Sequence, residues 1–65
     1  MPLIHVNHAS ALTSEQIESL MSGLTEIYTS VTNANPEAVQ VLIQQIPADR
    51  WAIGGRSLAD RKRNS

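Results

Sequence analysis

The chain has 65 residues, no cysteine and a formal net charge of −1. Its length allows a single domain over residues 1–65, and chains of this size bury only about 60% of their unfolded surface. Because neither disulfides nor thiolate metal sites can reinforce so small a core, we expect partner subunits to do so. The near-neutral charge argues against a general affinity for nucleic acid.

The distribution of charge is uneven. All five basic residues lie in the last sixteen positions, and Met1–Asp49 contains no lysine or arginine. An anion must therefore be bound by the C-terminal part, by the chain terminus or by neutral donors. We interpret residues 57–65 as a frayed, solvated basic tail. The apolar run Pro2–Val6 is too short for a signal peptide, and no stretch approaches the roughly 20 apolar residues of a membrane span. We therefore expect a cytoplasmic location and no membrane partner.

The first predicted elements are a strand and a long helix. Leu3–His8 is rich in branched residues and alternates in the way that a strand requires. Thr13 followed by Gln16 fits a capping box at a helix start, and Pro36 marks the turn that ends the helix. The turn-favouring Asn33 opens this stop signal, and 19 residues lie between Thr13 and Asn33. Their apolar side chains recur at spacings of three and four and form one stripe: Ile17, Leu20, Met21, Leu24, Ile27, Tyr28 and Val31.

The second half of the chain predicts a further strand and a hairpin. Val39–Ile46 is a second strand, and Pro47 ends it. The segment around Trp51 turns at Gly54–Gly55 as a short strand or hairpin. A helix between two strands can return the chain so that the strands run parallel. The sequence thus predicts an α/β fold with a β-α-β core, in which one sheet face needs cover from another subunit.

Pro2 allows two interpretations. It can be a stiff residue at a strand edge, where its missing N–H does no harm. If Met1 is removed, however, Pro2 carries a free secondary amine at the chain terminus. An apolar pocket would disfavour the charged form of that amine and lower its pKa toward neutrality. A neutral amine near physiological pH is a good general base.

Together these features resemble the small subunits of the 4-oxalocrotonate tautomerase family, within the tautomerase superfamily. The likeness covers nearly the whole chain. It depends on Pro2 before a branched strand, TSEQ opening the single long helix, a VxVLI strand, and an aromatic residue before Ile53–Gly54–Gly55. The resemblance implies β-α-β subunits with a C-terminal hairpin, paired into four-stranded sheets and assembled as a trimer of dimers. It also implies that the processed Pro2 is the catalytic base and acid, with no cofactor.

The resemblance carries over to the other site positions unevenly. Relatives present an arginine just before the helix and another in the second strand, where this chain has Leu12 and Gln40. Those arginines bind a dicarboxylate substrate through charge-assisted hydrogen bonds, which neither Leu12 nor Gln40 can supply. The family's pocket aromatic matches Trp51, which could equally pack under the hairpin. Arg50 or Arg56 from a neighbouring subunit is the candidate replacement cation, because these are the basic residues nearest to the proposed pocket in sequence. His5 and His8 lie three apart and point to opposite faces of a strand, so we expect no metal site.

These residues predict a keto–enol tautomerase acting on a small enol or keto acid. The substrate would be a 2-hydroxydienoate or an arylpyruvate-type enol, with weak activity on dicarboxylates. The expected assembly is a homo-hexamer, or one that includes a second chain type. Two alternatives stay open: a non-catalytic oligomeric homologue, and a dehalogenase or hydratase relative. The second ranks below tautomerisation, because no acid follows Trp51 and nothing in the sequence directs Asp49 to a pocket.

Overall fold

The computed structural model describes residues 1–63, and its centre is a two-stranded parallel sheet. Strand β1 (Leu3–His8) pairs in parallel with strand β2 (Gln40–Gln45), and the register runs from Leu3 opposite Gln40 to His8 opposite Gln45. Between the strands lie helix α1 (Ser14–Thr32) and a short 3₁₀ turn at Pro36–Ala38. The predicted β-α-β topology is confirmed.

Helix α1 begins and ends at the predicted signals. The Gln16 amide donates to Thr13 Oγ1 at 3.1 Å, and the Thr13 amide donates to Gln16 Oε1 at 2.9 Å, which completes the capping box. At the other end Asn33 adopts a left-handed conformation with φ of 62°, and its amide donates to the Thr29 carbonyl at 2.8 Å. The helix has 19 residues. It therefore spans about 28 Å at 1.5 Å per residue.

Strand β2 is one residue shorter at each end than the predicted Val39–Ile46. The Val39 amide closes the preceding 3₁₀ turn by donating to the Pro36 carbonyl at 3.2 Å. Ile46 is outside the strand, yet its amide still donates to the His8 carbonyl at 2.7 Å. The difference therefore lies in turn hydrogen bonds at the strand ends, and the pairing itself is unchanged.

The sheet has one face covered by α1 and one face open. Ile4 and Val6 of β1, with Val41 and Ile43 of β2, are half-buried on the covered face. The open face carries Leu3, which is 58% exposed, and Leu42, which is 49% exposed. On α1, Ile27 and Val31 also stay exposed although they belong to the predicted apolar stripe. No side chain among the described residues is fully buried, so a single chain lacks a closed core.

The C-terminal segment forms a hairpin followed by a second helix. Strand β3 (Ala52–Ile53) pairs antiparallel with strand β4 (Arg56–Ser57), as predicted. The turn residues Gly54 and Gly55 have φ of 61° and 84°. Positive φ at both central positions is the requirement of a type I′ turn, which glycine meets without steric cost.

Part of the segment interpreted as a frayed tail is helical. Helix α2 (Leu58–Arg63) follows β4 directly, and the Asp60 amide donates to Ser57 Oγ at 3.0 Å. This hydroxyl at the helix start satisfies an otherwise unpaired N–H of the first turn, which is the physical reason for order at this point. Residues 64–65 of the predicted tail lie outside the described residues. No helix within residues 1–63 combines the length and the apolar character needed to cross a bilayer.

The chain is too extended to be a compact monomer. Its radius of gyration is 15.2 Å and its principal extents are 45 × 25 × 15 Å, whereas a compact domain of this length has a radius of gyration of about 11 Å. Its accessible surface is 5067 Å², and a folded monomer of this mass exposes about 4,100 Å². Exposed apolar side chains contribute to this surface on the open sheet face, at Leu3 and Leu42, and on the hairpin, at Ile53.

Candidate functional site

Pro2 and Gln40 lie together at the edge of the sheet where both parallel strands begin. The backbone amide of Gln40 donates to the Pro2 carbonyl at 2.9 Å, which extends the hydrogen-bond ladder of the two parallel strands by one step. Pro2 is half-buried and lies just before β1. At this position its missing N–H does not remove a hydrogen bond between the strands. The parallel pairing therefore fixes Gln40 as the nearest neighbour of Pro2 across the sheet.

Met1 is joined to the Pro2 nitrogen by a peptide bond. The Met1 side chain is 91% exposed, and Gln40 Nε2 donates to Met1 Sδ at 3.0 Å. While the Met1–Pro2 bond is intact, amide resonance withdraws the nitrogen lone pair, so Pro2 has no basic amine. Removal of Met1 would free both the Pro2 amine and the Gln40 carboxamide for contact with a ligand.

Leu12 lies at the opposite edge of the sheet, where β1 has ended and α1 begins. It precedes the N-cap Thr13 and is half-buried. It lines an open depression of about 600 Å³. The other residues that line the depression are Thr13, Glu15, Gln16, Ser19 and Leu20.

Trp51 and Arg56 belong to the C-terminal hairpin. Trp51 is half-buried, and its carbonyl accepts a hydrogen bond from the Leu58 amide at 2.8 Å. Arg56 Nε donates to Asp60 Oδ2 at 3.3 Å, in a pair whose side chains are 55% and 38% exposed. An exposed ion pair of this kind contributes about 0.2–1 kcal/mol.

A single chain does not bring the five predicted site residues together. Pro2 and Gln40 lie where the parallel strands begin, whereas Leu12, Trp51 and Arg56 come after β1 or β2 has ended. The six residues of β2 separate the two edges by about 17 Å at 3.3 Å per residue. A site that contains all five residues needs at least two chains.

Two features of this region were not anticipated from the sequence. The carboxylate of Asp60, in α2, pairs with Arg56, in β4, and a helical spacing pattern would not have indicated it because the two residues lie in different elements. The depression beside Leu12 also includes the carboxylate of Glu15, which lies in the first turn of α1. Within the described residues, no three His, Asp or Glu side chains come together in a way that would hold a metal ion.

The architecture defines a class of small α/β subunits: two parallel strands joined by one long helix, followed by a hairpin arm. Within that class, residues 2–61 match the family model described as "Tautomerase enzyme". The chain belongs to this family, in its 4-oxalocrotonate tautomerase-like branch, and is an enzyme of the tautomerase type.

Individual relatives agree with this assignment. The chain is 32% identical over 60 residues to the 2-hydroxymuconate tautomerase of Bacillus subtilis, covering 92% of this chain and 97% of the relative. TomN, a 4-oxalocrotonate tautomerase homologue in the tomaymycin biosynthetic pathway, superposes with a TM-score of 0.91 at 32% identity over 95% of both chains. A heterohexameric 4-oxalocrotonate tautomerase from Chloroflexus aurantiacus gives a TM-score of 0.84 at 25% identity, over 92% of this chain and 97% of that one.

Proposed function

We propose that this protein is a keto–enol tautomerase whose base is the free amine of Pro2 after removal of Met1. The observation that carries the proposal is the position of Pro2, half-buried at the start of β1 and paired with Gln40, in a chain of the tautomerase family. The substrate is a 2-hydroxydienoate or an arylpyruvate-type enol.

The reaction needs one base that becomes an acid. The neutral Pro2 amine takes the proton of the enol hydroxyl, and the O–H electron pair forms the C=O bond. The displaced C=C pair then takes a proton from the prolinium at the α carbon of an arylpyruvate enol, or at a more distant carbon of a dienol. The amine is neutral again, no atom is lost, and no electron is transferred. The Gln40 carboxamide or a backbone amide donates to the developing oxyanion.

The complete site lies between subunits. In a two-fold pair that extends the sheet to four strands, neighbouring strands of the two chains run antiparallel. The Pro2 edge of one chain then lies beside the Leu12 and hairpin edge of the other. The exposed Leu3 and Leu42 form a second surface for self-association. We propose a homo-hexamer of such pairs, with a mixed assembly of two chain types as the alternative.

The neutral residues Leu12 and Gln40 define the expected substrate preference. A substrate with two carboxylates finds no arginine at either position, so we expect such substrates to react slowly. Arg56 or Arg50 of a neighbouring subunit supplies the cation for a single carboxylate. The predicted cytoplasmic location and single-domain organisation are part of this proposal.

Two other functions are separable by experiment. The absence of a guanidinium at Leu12 and Gln40 favours, as second candidate, an oligomer that keeps the fold without catalysis. A hydratase or dehalogenase would need a carboxylate to activate water, and Asp49 is exposed in the turn Ala48–Arg50.

The test is to follow ketonisation of phenylenolpyruvate, the enol of phenylpyruvate, by protein whose intact mass shows that Met1 is absent. We expect turnover that disappears when the N-terminus is acylated. A processed, folded chain without turnover would support the non-catalytic oligomer. Release of halide from a 3-haloacrylate, or a hydrated product, would instead place the protein with the dehalogenases or hydratases.

A further inference from the structure

We propose that His5 makes the association of this chain with copies of itself sensitive to pH: the open faces of the sheets associate while the imidazole is neutral and separate when it is protonated. This inference rests on the self-association in the proposed function and adds a pH-sensitive residue to it. The residue is a single titratable side chain in the middle of an uncharged surface.

His5 lies at the centre of the open face. In the parallel register it is opposite Leu42, and its neighbours on the same face of β1 are Leu3 and Asn7. The His5 side chain is exposed and makes no hydrogen bond or ion pair within the part of the chain that the structure describes. Leu3 is 58% exposed and Leu42 is 49% exposed. Apolar surface that a partner can cover therefore lies on two sides of the imidazole.

A second copy of the chain is the partner that fits this face. The accessible surface of the chain, 5067 Å², exceeds that of a folded monomer of its mass by roughly 1,000 Å², and a standard interface takes about 800 Å² from each partner. Besides the two leucines and His5, the face carries the carboxamides Asn7, Gln40 and Gln44. Each carboxamide both donates and accepts hydrogen bonds, so two copies of the face can pair without a charge mismatch.

The surroundings of His5 provide no counter-charge for a protonated imidazole. Neither β1 nor β2 contains Asp, Glu, Lys or Arg, and the other histidine, His8, lies on the opposite face with Ile4 and Val6. The glutamates of α1 belong to the element that covers that opposite face. The charged groups nearest in the chain lie beyond the strand ends: the Met1 amine, Glu37, Asp49 and Arg50. A copy bound through the same face brings its own His5 and no carboxylate, so a buried imidazolium would lose water without gaining a partner.

This arrangement links assembly to proton binding. Histidine is the side chain whose charge ordinarily changes between about pH 5 and 8, and the chain has two histidines. A separated chain can bind a proton at His5, whereas burial in the interface opposes it, so dissociation takes up protons. The association constant should therefore be highest above neutral pH. It should fall as the pH is lowered, by up to about tenfold per pH unit for each His5 in the interface.

The test is sedimentation velocity between about pH 8 and 5.5, at constant ionic strength, on the wild type, His5→Gln and His8→Gln. Glutamine keeps a polar side chain that cannot be protonated. The dissociation constants of the wild type and of His8→Gln should rise by about tenfold or more as the pH falls, and that of His5→Gln should stay close to its value at the high-pH end. The terminal amine also titrates in this range, but it is common to all three proteins.

An equal pH response in the wild type and His5→Gln, or loss of the response in His8→Gln alone, would overturn the inference. If His5→Gln fails to fold, His8→Gln acetylated at the N-terminus keeps His5 as the one group expected to change charge in this range, and assembly independent of pH would again overturn it. Turnover of phenylenolpyruvate by the Met1-free wild type tests the Pro2 chemistry separately. Turnover with pH-independent assembly would overturn the inference alone, and pH-dependent assembly without turnover would overturn the Pro2 chemistry alone.

Discussion

At the scale of single residues, one peptide bond decides whether the proposed site has a base. With Met1 attached, the Pro2 nitrogen is an amide, and its neighbour Gln40 donates to Met1 Sδ at 3.0 Å. Hydrolysis of that bond creates a secondary amine and leaves the Gln40 side chain without this acceptor. Pro2, which could also be a simple strand-edge residue, then carries the only basic amine within residues 1–49, because that segment contains no lysine.

A substitution at Gln40 tests how the charge of the substrate affects kcat/KM. Gln40→Arg places a guanidinium across the sheet from Pro2, where it can form charge-assisted hydrogen bonds to a carboxylate. Each such bond contributes about 1.5–3 kcal/mol, so kcat/KM for 2-hydroxymuconate should rise by one to two powers of ten. Steady-state kinetics should show a smaller rise for a monocarboxylate enol.

Arg56→Ala complements Gln40→Arg, because it removes a positive charge from the hairpin instead of adding one beside Pro2. We expect it to lower kcat/KM for both carboxylate substrates if Arg56 supplies the cation in the native site. Wild-type preference for the dicarboxylate, unchanged by Gln40→Arg and by Arg56→Ala, would mean that another group binds the anion.

At the scale of elements, the contribution of the N-terminal cap of α1 to the free energy of unfolding can be measured by a single substitution. Thr13→Ala removes the side-chain acceptor of the Gln16 amide. It should lower the free energy of unfolding by about 1 kcal/mol per chain. Ser14→Ala, one residue further on and without a side-chain hydrogen bond in the structure, should change it far less. Thermal unfolding at a fixed protein concentration measures both, and equal effects would contradict the role of the cap.

The glycines provide a second matched pair. Gly54 has φ of 61°, so Gly54→Ala places a side chain in a conformation that L residues rarely adopt. We expect the hairpin to be destabilised by about 1 kcal/mol. Gly23 lies within α1, and a Cβ added there meets open space. Gly23→Ala should therefore stabilise the chain by up to about 1 kcal/mol. Denaturant unfolding should move the two variants in opposite directions.

The elements were largely predictable because their signals are local. The Thr13–Gln16 box, the helical stripe and the glycine pair each act within a few residues, and the structure places α1 and the hairpin accordingly. Helix α2 was missed because its start depends on the Ser57 hydroxyl and the Arg56–Asp60 pair, within a segment whose basic composition favours a solvated tail. The arrangement of the site was only partly predictable: parallel register brings Pro2 to Gln40, whereas Leu12 and Trp51 lie beyond the opposite ends of the strands in the same chain.

At the scale of the whole molecule, the exposed apolar surface leads us to expect that folding requires self-association. No described residue is fully buried, and Leu3, Leu42, Ile27 and Val31 all stay in contact with solvent. Leaving such surface in water costs about 25 cal/mol per Å². We therefore predict no stable folded monomer, and sedimentation of a folded species near 7.1 kDa would contradict this.

Leu42→Asp tests which surface holds the assembly together. It places a carboxylate on the open sheet face, where burial without a partner is unfavourable. Sedimentation velocity should show dissociation at protein concentrations at which the wild type is fully assembled. Ser30→Asp adds the same charge to an exposed position of α1 and serves as the control. If both variants sediment like the wild type, the open sheet face is not an interface.

Graded acylation of the N-terminus tests whether the Pro2 amine is the catalytic base. Met1-free protein is acylated to increasing extents, the modified fraction is read from the intact mass with peptide mapping to the Pro2 nitrogen, and kcat for phenylenolpyruvate is measured on each sample. We predict that kcat falls in proportion to the acylated fraction and vanishes when every terminus is blocked, while sedimentation and helix content stay constant. Full turnover by completely acylated, correctly assembled protein would contradict the account.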